Sequence, residues 1–229
     1  MCGRFAVTLP PDAMAQLFGA APANDLAPAP NYNVCPTVQI NACALGETGR
    51  QLRPMRWGFI PHWYKKPNDG PLLINARAET IAEKPAFRAA ARERRCLIAM
   101  DGFYEWDRAG DEKLPWFIHR SDRAPLVVAG IWQDWSSREG AEGEDRMATC
   151  AIVTTEAKGQ MAEIHNRIPV FLSPGDWGLW LGEEGKGAAR LMQPAEDDVY
   201  AMYRVGKEVN SNRASGPSLI EPLSPGGDQ

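Results

Sequence analysis

The sequence lacks any apolar run near the roughly 18 residues that a membrane-spanning helix requires. Its first residues also lack the basic segment and the apolar stretch of a signal peptide. We therefore expect a globular cytoplasmic protein with no membrane contact. The net charge of −4 gives no general attraction to nucleic acid, so any such contact requires a local basic patch.

Cysteine pairs of the C-x-x-C type are also missing. The five cysteines are odd in number and scattered, which indicates neither a disulfide framework nor a zinc site. We expect no metal and no organic cofactor. Cys35, Cys43, Cys96 and Cys150 stand in apolar or strand-like contexts and are interpreted as small core residues, whereas Cys2 is treated separately below.

The pattern of apolar and turn-forming residues predicts many short strands with irregularly placed helices. Strands are predicted at 2–9, 37–45, 53–59, 96–106, 114–119, 126–132, 147–155 and 199–205. Helices are predicted at 11–19, 79–95 and 173–181, a long loop at 20–36, and a hairpin turn at 107–112. Because the pattern is not a β-α-β alternation, we expect an α+β fold: a single domain with a curved, mostly antiparallel, barrel-like β-sheet and surrounding helices. The domain is expected to span 1–222, followed by a C-terminal tail at 223–229. The chain from Ser215 is rich in Pro and Gly and should wrap the surface or be disordered.

Cys2 follows Met1 directly, and a side chain this small normally allows methionine aminopeptidase to remove Met1. The chain would then begin with a 1,2-aminothiol, whose amine has an ordinary pKa of about 7.7–8.0 and whose thiol has one of about 8.5. Such a pair attacks an aldehyde through nitrogen to give an imine, and the thiolate then closes a thiazolidine ring. The position predicts an aldehyde-bearing partner. The alternative is that residue 2 is small only to permit processing.

Polar residues in otherwise apolar strands mark three candidate functional residues, Arg4, Asn75 and Arg77. Arg4 would share a strand face with Cys2, where it could bind an anion such as phosphate or form a surface ion pair. Asn75 and Arg77 share another strand face. The amide of Asn75 could orient the terminal amine or cap a helix, and Arg77 could hold a second phosphate.

Two further candidates are suited to proton transfer. Glu105 lies between large aromatic residues that would shield its carboxylate from water, which suits an acid/base catalyst, although a structural pair with an arginine is the alternative. His165 stands beside Arg167 where a loop re-enters apolar sequence, and its imidazole could shuttle a proton or bind a phosphate or sugar oxygen.

Eight segments then occur in order from Cys2 to about residue 222: MCGRF, YNVCP, RWGFIPHW, NARAET, CLIAMDGFYEW, TTEA, IHNRIPV and the run from VNSN to LIEP. Together they resemble the signature blocks of the SRAP family (SOS-response-associated peptidase-like, abasic-site processing proteins) and cover nearly the whole chain. The resemblance implies that Cys2 is the nucleophile and that Asn75, Glu105 and His165 are the other catalytic residues.

The resemblance further implies a covalent trap for abasic sites in single-stranded DNA. It implies a thiazolidine between Cys2 and the ring-opened deoxyribose, a lyase side reaction by β-elimination, and peptidase-like self-processing that would free Cys2. We expect aminopeptidase to be the main route to that terminus. The partner would be single-stranded DNA carrying abasic sites, with the protein at the nucleoid when bound and with no obligate protein partner.

The expected DNA contacts combine charge and stacking. Arg4, Arg77 and Arg167 would contact phosphates, and Trp63 and Tyr64 would stack on exposed bases or wedge beside the lesion, with core packing of Trp63 as the alternative.

Three departures from the family pattern are visible. Cys35 replaces a common alanine and Ile168 a common methionine, while Asn31 stands where a basic residue is frequent.

Two other functions remain open. One rival function is an N-terminal-nucleophile hydrolase of the glutamine amidotransferase type, which also begins Met-Cys-Gly. The other is a non-catalytic reader of single strands that binds reversibly.

Overall fold

The computed structural model describes residues 2–107, 110, 112–137 and 146–224. Within these ranges the strands are β1 (Phe5–Val7), β2 (Ala21–Pro22), β3 (Asn31–Val34), β4 (Gln39–Gly46), β5 (Gly49–Trp57), β6 (Asn75–Arg77), β7 (Arg95–Met100), β8 (Gly102–Asp107), β9 (Leu114–Arg120), β10 (Leu126–Ser136), β11 (Arg146–Glu156), β12 (Arg167–Pro169) and β13 (Tyr200–Arg204). The helices are α1 (Pro11–Phe18), α2 (Arg88–Glu93), α3 (Gly159–Ile164) and α4 (Trp177–Leu181). Short 3-10 segments lie at Pro174–Asp176, Ala188–Leu191, Lys207–Asn210 and Pro217–Ile220. None of the described helices has both the length and the apolar character needed to cross a bilayer.

A closed five-stranded barrel forms the centre of the fold. Its strands run in the order β11, β10, β7, β4 and β5, and the four pairings between successive strands in this order are antiparallel. A short parallel contact between β11 and β5, with Thr149 opposite Arg56 and Cys150 opposite Trp57, closes the ring. Strands β6 and β12 both attach to β11 beside this closure, so the segments that carry Asn75 and His165 meet at one strand.

A second sheet of five antiparallel strands, ordered β13, β9, β8, β1 and β3, packs beside the barrel. The chain passes from barrel to second sheet at Asp101, whose backbone N–H donates to the carbonyl of Ala6 at 2.8 Å. The α+β prediction of a single domain with a curved, mostly antiparallel, barrel-like sheet is therefore confirmed.

Side chains alternate between the two faces of the barrel strands and enter two different buried clusters. On one face, residues such as Leu97 and Val153 pack with α1 and α4 through Phe18 and Trp180. On the other face, residues of β4, β5, β7, β10 and β11 share a cluster with Cys2. The second cluster also takes in residues of the second sheet, so Cys2 lies where the two sheets meet.

The predicted helix at 79–95 is wrong in extent. Only Arg88–Glu93 is α-helical, and turns occupy the preceding segment, with Glu83 and Lys84 both donating to the carbonyl of Thr80. Pro85 has no N–H and disfavours helical geometry in the residue before it, so a continuous helix cannot pass through this position.

Each of the five barrel strands overlaps a predicted strand, but the first and last residues of the predicted strands differ from those in the structure. The strand predicted at 96–106 is two strands in two sheets, because the chain turns at Asp101. The strand predicted at 2–9 is limited to Phe5–Val7, and the predicted loop at 20–36 contains β2 and β3. Part of the predicted hairpin turn at 107–112 lies outside the described residues, although β8 and β9 pair as predicted.

The C-terminal segment from Ser215 packs on the second sheet as far as it is described. Leu219 is buried beside Tyr104 and Val209, and the N–H of Leu223 donates to the carbonyl of Arg204 at 2.9 Å. Residues 225–229 of the predicted tail lie outside the described ranges.

Candidate active site

Cys2 is anchored at the junction of the two sheets by the strand that follows it. The N–H of Tyr104 donates to the carbonyl of Arg4 at 2.9 Å, which extends the pairing of β1 with β8 toward the start of the chain. Cys2 is only 1% exposed and shares its cluster with Phe5, Trp57 and Phe103. Its thiol is thus held in an apolar setting at the position where β8 presents Glu105.

Asn75 contacts the backbone of Cys2. Its Nδ2 donates to the carbonyl oxygen of Cys2 at 2.8 Å. Parallel pairing with β11, in which Asn75 lies opposite Ile152, fixes the backbone that carries this amide. Because a carbonyl can only accept, the contact also fixes the orientation of the amide. Among the described residues, Oδ1 of Asn75 is buried and accepts no hydrogen bond, so an unused acceptor lies beside Cys2.

Glu105 supplies a buried carboxylate on β8. It is 3% exposed and close enough to Cys2 to influence the thiol electrostatically. Burial, followed by the negative charge of Glu105, raises the pKa of the Cys2 thiol well above its ordinary value. The positive charge of the amino terminus and a hydrogen bond from the backbone of Arg4 oppose the rise only partly. The thiol is therefore protonated at neutral pH in this arrangement.

His165 follows the last residue of α3 and is partly buried. Its Nδ1 accepts the backbone N–H of Arg167 at 3.0 Å and lies 3.3 Å from the carbonyl oxygen of the same residue. Helix α3 packs against β8, and its Met161 lies in the same buried cluster as Cys2. The four residues predicted to be catalytic are thus carried by the chain start, β6, β8 and the segment after α3, all at this junction.

Arg4 does not share a face with Cys2, contrary to the expectation from strand alternation, because regular strand geometry begins only at Phe5. The Arg4 guanidinium donates to Asn33 Oδ1 at 2.7 Å, to the carbonyl of Val209 at 3.0 Å and to Asn212 Oδ1. It lies 5.6 Å from the ring centre of Trp106. The side chain is buried in a network of neutral acceptors and does not form the alternative surface ion pair.

Arg77 and Arg167 differ sharply in their surroundings. Arg77 is exposed on β6, two residues after Asn75. Arg167 forms a two-point ion pair with Glu79, with both N–O distances at 2.9 Å, and also donates to the carbonyl of Thr154 at 2.6 Å. The Glu79 pair links the segment after Asn75 to the strand after His165.

Trp63 is 42% exposed, so the alternative of core packing for this residue is wrong. Its ring makes edge contacts with His62 and Tyr64. Tyr64 is partly buried, and its carbonyl accepts the indole N–H of Trp135 at 2.9 Å. The loop that carries both residues is thus held to the barrel at Tyr64, and the Trp63 ring is exposed to solvent.

Sequence reasoning missed the partners that hold the arginines. Asn33, Asn212 and Glu79 contact Arg4 or Arg167, and each lies inside one of the motif blocks quoted above. Polar residues at these motif positions were the available signal. Cys35 was assigned to the core but is only partly buried, next to Asn33, whereas Cys43, Cys96 and Cys150 are fully buried as predicted.

In the described part of the chain, all five cysteines are free, and no group of three or more His, Cys, Asp or Glu side chains is arranged to hold a metal ion. The fold and site define a class of protein: a barrel with an attached second sheet that presents a buried cysteine beside an amide and a carboxylate.

Comparison with known proteins identifies the family. The family described as SOS response associated peptidase (SRAP) matches residues 1–212. The chain is 35% identical over 228 residues to the abasic site processing protein YoqW of Bacillus subtilis, covering 96% of this chain and 99% of that one. It is 32% identical to the abasic site processing protein YedK of Escherichia coli, covering 97% and 100% of the two chains. A solved structure from Bacteroides thetaiotaomicron has the same fold, with a TM-score of 0.85 at 22% identity over 97% of this chain and 100% of that one. The chain belongs to the SRAP family.

Proposed function

We propose that the protein processes abasic sites in single-stranded DNA by forming a covalent link to them. With Met1 removed, the aminothiol of Cys2 and the ring-opened deoxyribose aldehyde would form a thiazolidine that shields the lesion during the DNA damage response. The names of the relatives support the lesion class. The observation that carries the chemistry is the hydrogen bond from Asn75 to the Cys2 carbonyl, with an unused amide oxygen beside it.

Asn75 has two roles in this proposal. Its Nδ2 holds the backbone of Cys2, so the residue that becomes the terminus does not have to be ordered during the reaction. Its free Oδ1 is an acceptor for the α-amino group or for the N–H of the protonated imine. The amide thus orients nitrogen toward the aldehyde and stabilises the positive charge that develops on it.

The protonated state of the thiol orders the two steps. Because burial and Glu105 keep the Cys2 thiol protonated, the amine reacts first. Nitrogen adds to C1′ to give a carbinolamine, which loses one water to form the imine. Sulfur then adds to the imine carbon while the thiol proton passes to nitrogen. The net change is loss of one water, so the reaction requires neither oxidant nor reductant.

Glu105 and His165 are the proton carriers in the proposal. Opening of the cyclic hemiacetal requires proton transfer between two sugar oxygens, and loss of water from the carbinolamine requires an acid. Glu105 is buried near Cys2, and the His165 ring is held through Nδ1 by the backbone of Arg167. The same groups would assist β-elimination from the imine as a lyase side reaction, which thiazolidine closure suppresses. Peptidase-like self-processing would be a second route to the free Cys2, beside aminopeptidase.

DNA would approach across the exposed groups. Arg77 and Trp63 offer an exposed guanidinium and an exposed aromatic ring for phosphate contact and base stacking. Arg4, Arg167 and Tyr64 are already engaged with protein groups, so their phosphate and base contacts would be made in addition to those bonds. Binding of this kind places the protein at the nucleoid when a lesion is present.

The experiment that tests the proposal mixes purified protein, with its terminus verified by intact mass, with a single-stranded oligonucleotide carrying one abasic site. We expect a slow band on a denaturing gel that requires both the lesion and Cys2. Cys2→Ala should abolish the stable product. Cys35→Ala is the matched control, because it removes a partly exposed thiol away from the chain start and should retain the band.

An undiminished stable product with Cys2→Ala would refute the assignment of the nucleophile. Binding that reverses fully in denaturant would instead support the reversible reader. Absence of any product from chains that begin at Cys2, together with release of ammonia from glutamine, would support the hydrolase.

A further inference from the structure

Helix α3, which leads to His165, lacks the features that normally stabilise a short helix. It has only six residues, and the residue before it, Lys158, provides no side-chain cap. A helix of this length is not stable alone, because the first turn costs conformational entropy before hydrogen bonds compensate. Its free N–H groups need partners from elsewhere in the fold.

A distant segment supplies those partners. The carboxylate of Asp197 accepts the N–H of Gln160, with distances of 3.3 and 3.4 Å to its two oxygens. The hydroxyl of Tyr200 donates to Asp197 Oδ1 at 2.7 Å and accepts the N–H of Met161 at 3.3 Å. Two groups outside α3 thus cap its first turn.

Gly159 makes the approach of Asp197 possible. Its φ of 52° lies in the left-handed region, and a Cβ at this position would be 2.1 Å from Asp197 Oδ2. Any larger residue would be both strained and in collision with the carboxylate. The start of α3 is therefore shaped to receive this side chain.

Met161 connects the cap to the candidate site. Its N–H donates to Tyr200 and its carbonyl accepts the backbone N–H of His165 at 2.9 Å. The Met161 side chain is fully buried in the cluster that contains Cys2 and Tyr200. A continuous chain of hydrogen bonds therefore runs from Asp197 through Tyr200 and Met161 to His165.

We propose that Asp197 and Tyr200 are positioning residues that set the location of the His165 imidazole relative to Cys2 by capping α3. The catalytic consequence of this inference rests on the proposed function, whereas its structural part does not. Neither residue touches the reacting atoms; both act through the short helix.

Tyr200 is suited to this role because its hydroxyl keeps its proton. Burial and the hydrogen bond to Asp197 raise the pKa of Tyr200 to about 12. The donor to Asp197 is consequently present throughout the physiological range.

The first test deletes one oxygen atom. Tyr200→Phe keeps the buried ring but removes the hydroxyl, and Tyr203→Phe is the matched control on the same strand, where the hydroxyl donates to Ile220 and not to α3. We expect Tyr200→Phe to slow single-turnover crosslinking by roughly 3- to 30-fold, less than the ~100-fold that a 1 Å misplacement can cost. Tyr203→Phe should stay within twofold of the unaltered protein. In a His165→Ala background, Tyr200→Phe should have almost no further effect, and an equal effect in both backgrounds would overturn the inference.

The second test does not depend on crosslinking. The chain has three histidines, so side-chain NMR signals can be assigned individually; His62 is the internal reference, because His119 lies on the strand paired with Tyr200. We expect Tyr200→Phe and Asp197→Ala to shift the His165 signals and to leave those of His62 unchanged, with partial recovery in Asp197→Asn. Unchanged His165 signals in both variants would overturn the inference. Shifted signals in a protein that forms no crosslink would refute the proposed function alone.

Discussion

The thiol of Cys2 differs from an ordinary surface thiol because burial and one neighbouring carboxylate both raise its pKa. Its burial removes the water that would stabilise a thiolate, and the carboxylate of Glu105 repels the negative charge. A nucleophile held in its protonated form reacts only when a base accepts its proton. In the proposed reaction this favours initial attack by nitrogen, with sulfur closing the ring afterwards.

Replacing Glu105 by glutamine separates these effects. Glu105→Gln removes the repelling charge, so the pKa of the Cys2 thiol should fall and its alkylation by iodoacetamide should begin at lower pH. Crosslinking should nevertheless slow by about 100-fold, because the amide cannot transfer a proton. Peptide mass spectrometry across a pH series measures the first effect and denaturing gels the second. Glu183→Gln, at an ion pair with Arg50, is the control, and an unshifted alkylation profile in Glu105→Gln would contradict the prediction.

The sequence yields candidate residues where chemistry leaves few alternatives. An aminothiol, a shielded carboxylate and a scarce histidine are recognisable by residue type and motif alone. The environments of the arginines were not predictable, because they depend on partners more than 25 positions away, such as Asn33 for Arg4 and Glu79 for Arg167. Strand alternation also misplaced Arg4, since the chain is irregular before Phe5.

At the scale of elements, the passage from β7 to β8 requires an unusually close approach of backbones. A Cβ at Gly102 would lie 2.3 Å from the carbonyl oxygen of Ile118 on β9. The backbone of β9 cannot move away without breaking its pairing with β8. The close pairing of β8 with β9 at this end therefore requires a residue without a side chain at position 102.

Gly102→Ala should consequently destabilise the second sheet. We expect the free energy of unfolding to fall by about 1–3 kcal/mol, the usual range for overpacking. Urea unfolding followed by tryptophan fluorescence measures the change. Gly175→Ala is the control, because a Cβ there meets no atom within 4 Å. Equal stability of the two variants would show that β9 can adjust.

Element boundaries were less predictable than element types. Apolar residues stand on both sides of Asp101 and Gly102, a turn-forming pair that marks the point where the chain changes sheets. The helix predicted at 79–95 was wrong for a similar reason, since Pro85 is a local signal that outweighs the surrounding helix-forming residues. The strands of the barrel, with their strong apolar character, were located to within a few residues.

At the scale of the whole molecule, buried thiols lower the free energy of unfolding when the pH becomes alkaline. Burial raises the pKa of Cys43 and of Cys150 from 9.0 to about 12. Above pH 9 the unfolded chain releases these protons while the folded chain retains them. Stability is therefore complete below pH 9 and is lost as pH rises toward 12.

The free energy of unfolding should fall between pH 8 and pH 10.5, with each such thiol contributing about 1.4 kcal/mol per pH unit above 9. Urea midpoints at the two pH values measure the loss. Cys150→Ala should lose less stability than the unaltered protein, whereas Cys35→Ala, which removes a partly exposed thiol, should lose the same amount. An identical fall in all three proteins would assign the effect to other groups, such as Tyr104.

The closure of the barrel has a consequence for how the chain folds. Only two residue pairs, between β5 and β11, join the ends of the ring, and they connect positions far apart in sequence. Contacts of such long range form late, since the entropy of closing the intervening chain must be overcome first. Strand β6, which carries Asn75, docks on the same β11. Closure of the ring and placement of Asn75 therefore depend on the same strand, β11.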